Sequence, residues 1–106
     1  MVIKQVLNHA ELQELIRTGK PILIDFFATW CGPCRAISPR FEDFSKAFDG
    51  RVTFIKVDVD QQPDISSALG VTALPTFIGF NNGSQVDSVR GANANALESL
   101  VQKLAA

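Results

Sequence analysis

Two apolar runs, Pro21 to Ala28 and Val52 to Asp58, flank a stretch whose large apolar residues recur at helical spacing, and few folds accommodate that order. Each run has the length of a strand and few polar positions, the mark of a strand buried on both faces. Between them Ile37, Phe41, Phe44 and Phe48 line one side of a helix, which Pro39 should kink and Gly50 should end. Residues 22–58 therefore read as a β-α-β unit, with the parallel strands and right-handed crossover that such units nearly always adopt.

Shorter signals complete the order. Val2 to Val6 reads as a strand, and Asn8 with Glu11 has the form of a capping box opening an amphipathic helix that runs to about Thr18 and stops at Gly19. Pro63 opens a short helix that ends at Gly70. Thr76–Phe80 and Gln85–Arg90 flank Asn82-Gly83, a hairpin signal that makes them antiparallel neighbours. A last helix starts near Asn95, matched by Glu98 three residues on, and runs to Leu104. The sum is an α/β architecture: a central mixed sheet of about five strands with helices on both faces. Sheets of this kind place their sites at the carboxyl ends of parallel strands.

With 106 residues, 46% of them hydrophobic, the chain has room for one domain, 1–106, and a chain of this size buries roughly two-thirds of its extended surface. Ten Lys plus Arg against eleven Asp plus Glu leave a net charge of −1. That balance argues against nucleic acid as the main partner and against a polybasic membrane anchor. The start, Met1-Val2-Ile3-Lys4-Gln5, lacks the apolar core of a secretory signal, and no window reaches the ~20 apolar residues of a membrane helix. A soluble, cytoplasmic protein is expected.

The two cysteines, Cys31 and Cys34, are separated only by Gly32-Pro33. In the chain-entropy model, a bridge closing about four residues stabilises by only ~2 kcal/mol, against ~4.7 kcal/mol for a 100-residue loop. Stability is a poor reason for the pair, and its position is a better one. It lies where a buried strand turns into a helix. Pro33 suits the first turn, where its missing N–H would have had no partner, and Gly32 would allow a tight entry. The helix-end amides favour an anion at Cys31, raising its thiolate fraction. Cys31 is then the nucleophile that attacks a substrate disulfide, and Cys34, one turn deeper and expected to be more shielded, resolves the mixed disulfide. Two other readings remain open at this level. Zinc normally takes four Cys or His ligands, and only His9, in another helix, could join the pair. The cysteines could also be inert buried thiols.

Asp25 interrupts the apolar strand Ile22–Phe27, where a carboxylate without a partner responds by raising its pKa. Near Cys34 it would act as general base, directly or through one water, with Lys56 of the neighbouring strand as its counter-charge. The alternative is a buried ion pair with no catalytic part. The segment Thr72-Ala73-Leu74-Pro75-Thr76 should face the Cys31 turn, and a cis Leu74-Pro75 bond there would offer backbone groups to an extended substrate.

With Trp30-Cys31-Gly32-Pro33-Cys34 set beside Asp25-Phe26, Pro39, Lys56, Pro75, Gly83 and Gly91, the chain resembles the thioredoxin family over nearly its whole length. A cysteine pair at this spacing next to a β-α-β pattern is itself the general thioredoxin-like signature. The resemblance implies a thioredoxin fold, with a mixed five-stranded sheet and about four α-helices. It implies a protein-disulfide reductase with a redox-active Cys31–Cys34 disulfide, serving redox homeostasis and donating electrons to target proteins. No cofactor or metal would be bound, and electrons would come from NADPH through a thioredoxin reductase. In the family the residue matching Pro75 is cis. Trp30, Gly32, Pro33, Ala73, Leu74, Pro75, Gly91 and Ala92 would form the apolar surface that docks disulfide-containing substrate proteins. The alternative reading of Trp30 is a half-buried packing residue, and that of Gly91 a simple strand-end turn. A monomer is expected, and the apolar docking surface is where a weak dimer would form.

Departures are mild. Phe27 stands where many members carry a second tryptophan, Arg35 replaces a common lysine, and Leu74 replaces a common isoleucine. Thr29 before Trp30 and the lack of further cysteines resemble small eukaryotic cytosolic members. Oxidase and isomerase relatives usually carry His at the position of Pro33, which makes their disulfides more oxidising. A binding or chaperone-like module is the remaining alternative.

Overall fold

Alternation along the central strands settles which side chains meet which helices. The computed structural model describes residues 2–106, and among them it contains β1 (Ile3–Gln5), α1 (His9–Arg17), β2 (Ile22–Phe27), α2 (Gly32–Ala47) and β3 (Thr53–Asp58). These are followed by α3 (Pro63–Ala68), β4 (Thr76–Asn81), β5 (Ser84–Arg90) and α4 (Ala94–Ala105). The sheet order is β1-β3-β2-β4-β5. β3 pairs in parallel with β1 and β2, whereas β4 pairs antiparallel with β2 and β5.

Two cores fill the two faces. Leu23, Phe54 and Phe77 pack with Ile37, Phe41 and Phe44 of α2 and with Leu97, Leu100, Val101 and Leu104 of α4. Ile22, Ile24, Phe26, Ile55, Val57 and Ile78 pack on the other side with Leu12 of α1 and Ile65 of α3. Side chains alternate between faces along a strand, so Asp25 shares the α2-facing side with Leu23. No helix among the described residues is long and apolar enough to cross a membrane.

The β4–β5 turn has positive φ at both Asn82 (57°) and Gly83 (81°), the geometry that Asn-Gly favours in a two-residue hairpin. Asn8 caps α1 by accepting the Glu11 N–H at 2.8 Å, but the Glu11 carboxylate accepts from Leu7 rather than closing the box on Asn8. α2 continues through Pro39. Phe48 lies at its C-cap, where it packs against the same core as Ile37, Phe41 and Phe44 but is only half-buried, beneath the Arg51 guanidinium. β1 is shorter than Val2–Val6.

The largest correction concerns α4. Its N-cap is Asn93, whose side chain accepts the Ala96 N–H at 3.0 Å, and Asn95 already lies inside the first turn. Both asparagines have the chemistry of a cap. The backbone chooses, because the chain leaves Gly91 at φ +92° and is extended at residue 93, so that the helix starts two residues early. Glu98 is then too far along to complete a box and lies 3.9 Å from Arg40 instead. Asn93→Ala should lower stability by about 1 kcal/mol, while Asn95→Ala should stay within ~0.5 kcal/mol of the parent. Urea-denaturation midpoints of the two variants check this assignment.

Candidate active site

Cys31 is itself the N-cap of α2. Its backbone is extended (φ −84°, ψ 110°), and its Sγ accepts the Cys34 N–H at 3.2 Å, in the way a Ser or Asp oxygen would. A sulfur so placed receives a helix-end N–H and the positive end of the macrodipole, both of which favour its anion. Pro33 occupies the first turn, as its missing N–H allows. Gly32 has no such steric reason: its φ is not positive and a Cβ there would meet nothing within 4 Å. Its lack of a side chain only leaves the surface beside Cys31 bare.

The cysteines are joined in a disulfide, with Cα atoms 5.3 Å apart, so the structure is that of the oxidised protein. Cys31 is 4% exposed and Cys34 5%, and the expected difference in shielding is absent. The bond holds both sulfurs in one cluster with Ala28, packed against Phe27, Val59 and Leu74. Surroundings separate the two cysteines instead. Cys34 lines a recess of about 300 Å³ together with Asp25, Phe27, Thr29, Arg35, Ser38 and Lys56, and Cys31 does not. A larger groove, about 760 Å³, opens where β2 and β3 begin, beside Lys4, Lys20 and Arg51. It is lined by no cysteine, so chemistry and not volume locates the site.

Asp25 forms the floor of the smaller recess. It is 2% exposed, and its Oδ1 has no hydrogen-bond partner among the described residues. Burial pushes its pKa up to about 7, while the positive charge of Lys56 opposes that rise. Lys56 is the register partner of Asp25 across β2 and β3, yet the pair makes no ion-pair contact within 4 Å among the described residues. The half-buried lysine carries its ammonium outward to the Ser38 hydroxyl, 3.4 Å away, and over the Phe27 ring, 4.8 Å from its centroid. The counter-charge therefore acts across space rather than by contact.

The Leu74-Pro75 bond is cis. Leu74 packs on the cysteine cluster, and neither its N–H nor its carbonyl is hydrogen-bonded within the described residues. The buried Pro75 gives its carbonyl to the Gly91 N–H at 2.8 Å, and the Ala73 carbonyl accepts from Thr76 Oγ1. Gly91, at φ +92°, is both the strand-end turn and a neighbour of this loop. Ala73 and Ala92 are exposed. Trp30 is 67% exposed, not half-buried, and its indole N–H donates to Asp60 Oδ2 at 2.8 Å. Asp60 in turn donates its backbone N–H to Asp58.

Sequence reasoning had no place for Asp60 or Ser38. Asp60 follows the carboxyl end of β3, where parallel sheets place their sites, and that position was its available signal. Ser38 meets Lys56 only through the packing of α2 on β3. No group of three or more His, Cys, Asp or Glu side chains converges as a metal site would among the described residues, and His9 lies beside Gln13 in α1.

The family model described as Thioredoxin matches residues 3–105. Thioredoxin of Coprinus comatus is 48% identical over 103 residues, covering 96% of this chain and 97% of its own length. Thioredoxin-1 of Schizosaccharomyces pombe is 44% identical over 101 residues, covering 95% and 97% respectively. Among solved structures, Malassezia sympodialis thioredoxin superposes with a TM-score of 0.93 at 37% identity, over 98% of this chain and 91% of that one. The oxidised mitochondrial thioredoxin 3 of Saccharomyces cerevisiae gives a TM-score of 0.90 at 39% identity, over 95% and 94%. A sulfur-capped helix following a parallel strand, its partner cysteine above a buried carboxylate, and these likenesses along almost the entire chain agree: the chain belongs to the thioredoxin family and is a thiol–disulfide oxidoreductase that reduces protein disulfides.

Proposed function

We propose that Cys31 attacks the substrate disulfide and that Cys34, with Asp25 as its base, resolves the intermediate. The observation that supports this reading is the asymmetry of the pair: Cys31 Sγ takes the helix-end N–H, whereas Cys34 lines the recess whose floor is Asp25.

The Cys31 thiolate forms a bond to one substrate sulfur, and the other leaves as a thiolate that is protonated from solvent. Cys34 gives its proton to the Asp25 carboxylate, directly or through one water, and its thiolate bonds to Cys31 Sγ. The second substrate sulfur departs and takes up a proton. The substrate has gained two electrons, and Cys31 and Cys34 have become the disulfide seen here. NADPH, through a thioredoxin reductase, returns those electrons. Lys56 favours the ionised form of Asp25 and so limits how far burial raises its pKa.

An extended substrate segment lies along Leu74, pairing with its unengaged N–H and carbonyl, between Trp30 on one side and Ala73, Pro75, Gly91 and Ala92 on the other. The protein works as a monomer in the cytoplasm.

Three outcomes test this reading. Cys34→Ser should accumulate a mixed disulfide with a protein substrate, visible by mass spectrometry, whereas Cys31→Ser should form none and lose insulin reduction entirely. Asp25→Asn should slow resolution of the mixed disulfide by about 10²-fold or more and remove its inflection near pH 7, leaving the first attack unchanged; stopped-flow traces over pH 5–9 separate the two steps. Stability should respond as well. Asp25 binds its proton more tightly folded (about 7) than unfolded (3.8), so stability falls as pH rises between those values and levels off above them. The difference amounts to about 4 kcal/mol. In urea unfolding of the oxidised protein, Asp25→Asn should gain roughly that much on the parent between pH 4 and pH 8.

A further inference from the structure

Arg35 directly follows the resolving cysteine and stands near the N-terminus of α2, where a positive charge is opposed by the helix macrodipole. A residue placed against its local preference marks a position selected for something else. Side chains on a helix lean toward its N-terminus, and Arg35 follows that lean: its Nη1 donates to the Thr29 carbonyl at 2.7 Å, six residues back. The bond crosses the active-site turn from α2 to the chain leaving β2.

Its place relative to the recess gives it meaning. Among the lining residues Asp25, Ala28 and Cys34 are buried and Phe27, Ser38 and Lys56 are half-buried. Only Thr29 and Arg35 are exposed, and they are the two that the hydrogen bond joins. We propose that Arg35 is a positioning residue whose guanidinium straps the mouth of the recess to Thr29, keeping bulk water from Asp25 and Cys34 while the mixed disulfide is resolved. This rests on the role given above to Asp25, and it adds the element that keeps the base desolvated.

Charge and strap predict opposite signs. In the oxidised protein the charged groups facing Asp25 are Lys56 from β3 and Arg35 from α2, Cys34 being held in the disulfide, while β4 presents Phe77. If Arg35 acted only as a cation, removing it would destabilise the carboxylate and raise the pKa of Asp25. If it is a strap, removing it admits water and lowers that pKa toward the ordinary carboxylate range. The charge of Lys56 is untouched in either case.

The test is a carboxyl-carbon NMR titration of Asp25 in the oxidised, full-length protein, for the parent, Arg35→Met and Arg35→Gln. Both replacements lose the charge and the reach, and both are at an exposed position, so a fold check by circular dichroism accompanies each. The expected result is a midpoint lower by about one pH unit in both variants, with the pH profile of mixed-disulfide resolution moving in the same direction. Arg35→Lys, which keeps a donor and a charge, should restore part of the parent midpoint. A midpoint that rises or stays in place in the Met and Gln variants overturns the strap. Because the titration is read on resting oxidised protein, it decides the strap even if Asp25→Asn shows that the carboxylate is not the base.

Discussion

The site depends on a helix that is capped by sulfur. α2 begins with N–H groups that need an acceptor, and the Cys31 sulfur supplies one by accepting the Cys34 N–H. An oxygen cap such as Ser would satisfy the same donor without being able to exchange disulfides. Local helix formation and redox chemistry therefore draw on one contact, and Pro33 completes it by occupying a position that needs no N–H of its own. The β-α-β topology then carries this helix end to the carboxyl edge of β2 and β3, beside the loop containing Pro75.

The second constraint is a carboxyl group in an apolar place. Asp25 shares its face of β2 with Leu23, which packs into the core beneath α2 and α4. Leucine in place of Asp25 would extend that core, so the fold keeps the acid at the expense of stability. That burial raises the pKa of Asp25 to about 7, well above the ordinary carboxylate range, as the proposed role of base toward Cys34 requires. Lys56 moderates the shift without neutralising it, because its ammonium is held by Ser38 and Phe27 instead of the carboxylate. A contact ion pair would have pulled the pKa of Asp25 back down toward the ordinary carboxylate range.

Charged side chains also shape the exposed rim. Trp30 is a large apolar surface residue that is oriented by Asp60, and the neighbouring Thr29 carbonyl is held by Arg35. Two adjacent residues of the active-site turn are thus each fixed by a side chain from a different element, one acidic and one basic. On the far side of the cysteines the Pro75 carbonyl is engaged by Gly91, while Leu74 keeps its own backbone groups unengaged within the chain. The apolar surface around the disulfide is bounded by elements that are far apart in sequence.

What could be read directly from the residues was whatever short-range chemistry specifies. The buried runs gave the central strands, Asn82-Gly83 the hairpin, Pro33 the first turn of α2, and Asp25 stood out because a charge in an apolar strand has few explanations. Each of these follows from a residue and its nearest neighbours along the chain. Where two asparagines competed to cap α4, where the Lys56 ammonium went, how deeply each cysteine was covered and which residue held Trp30 were all beyond that reach. Those answers turn on backbone direction after a glycine and on which long side chain meets which surface once α2 and the β3–α3 loop have packed. Spacing along the chain carries the periodicities of helix and strand, but the meeting of Asp60 with Trp30, or of Ser38 with Lys56, exists only after the sheet has brought distant segments together.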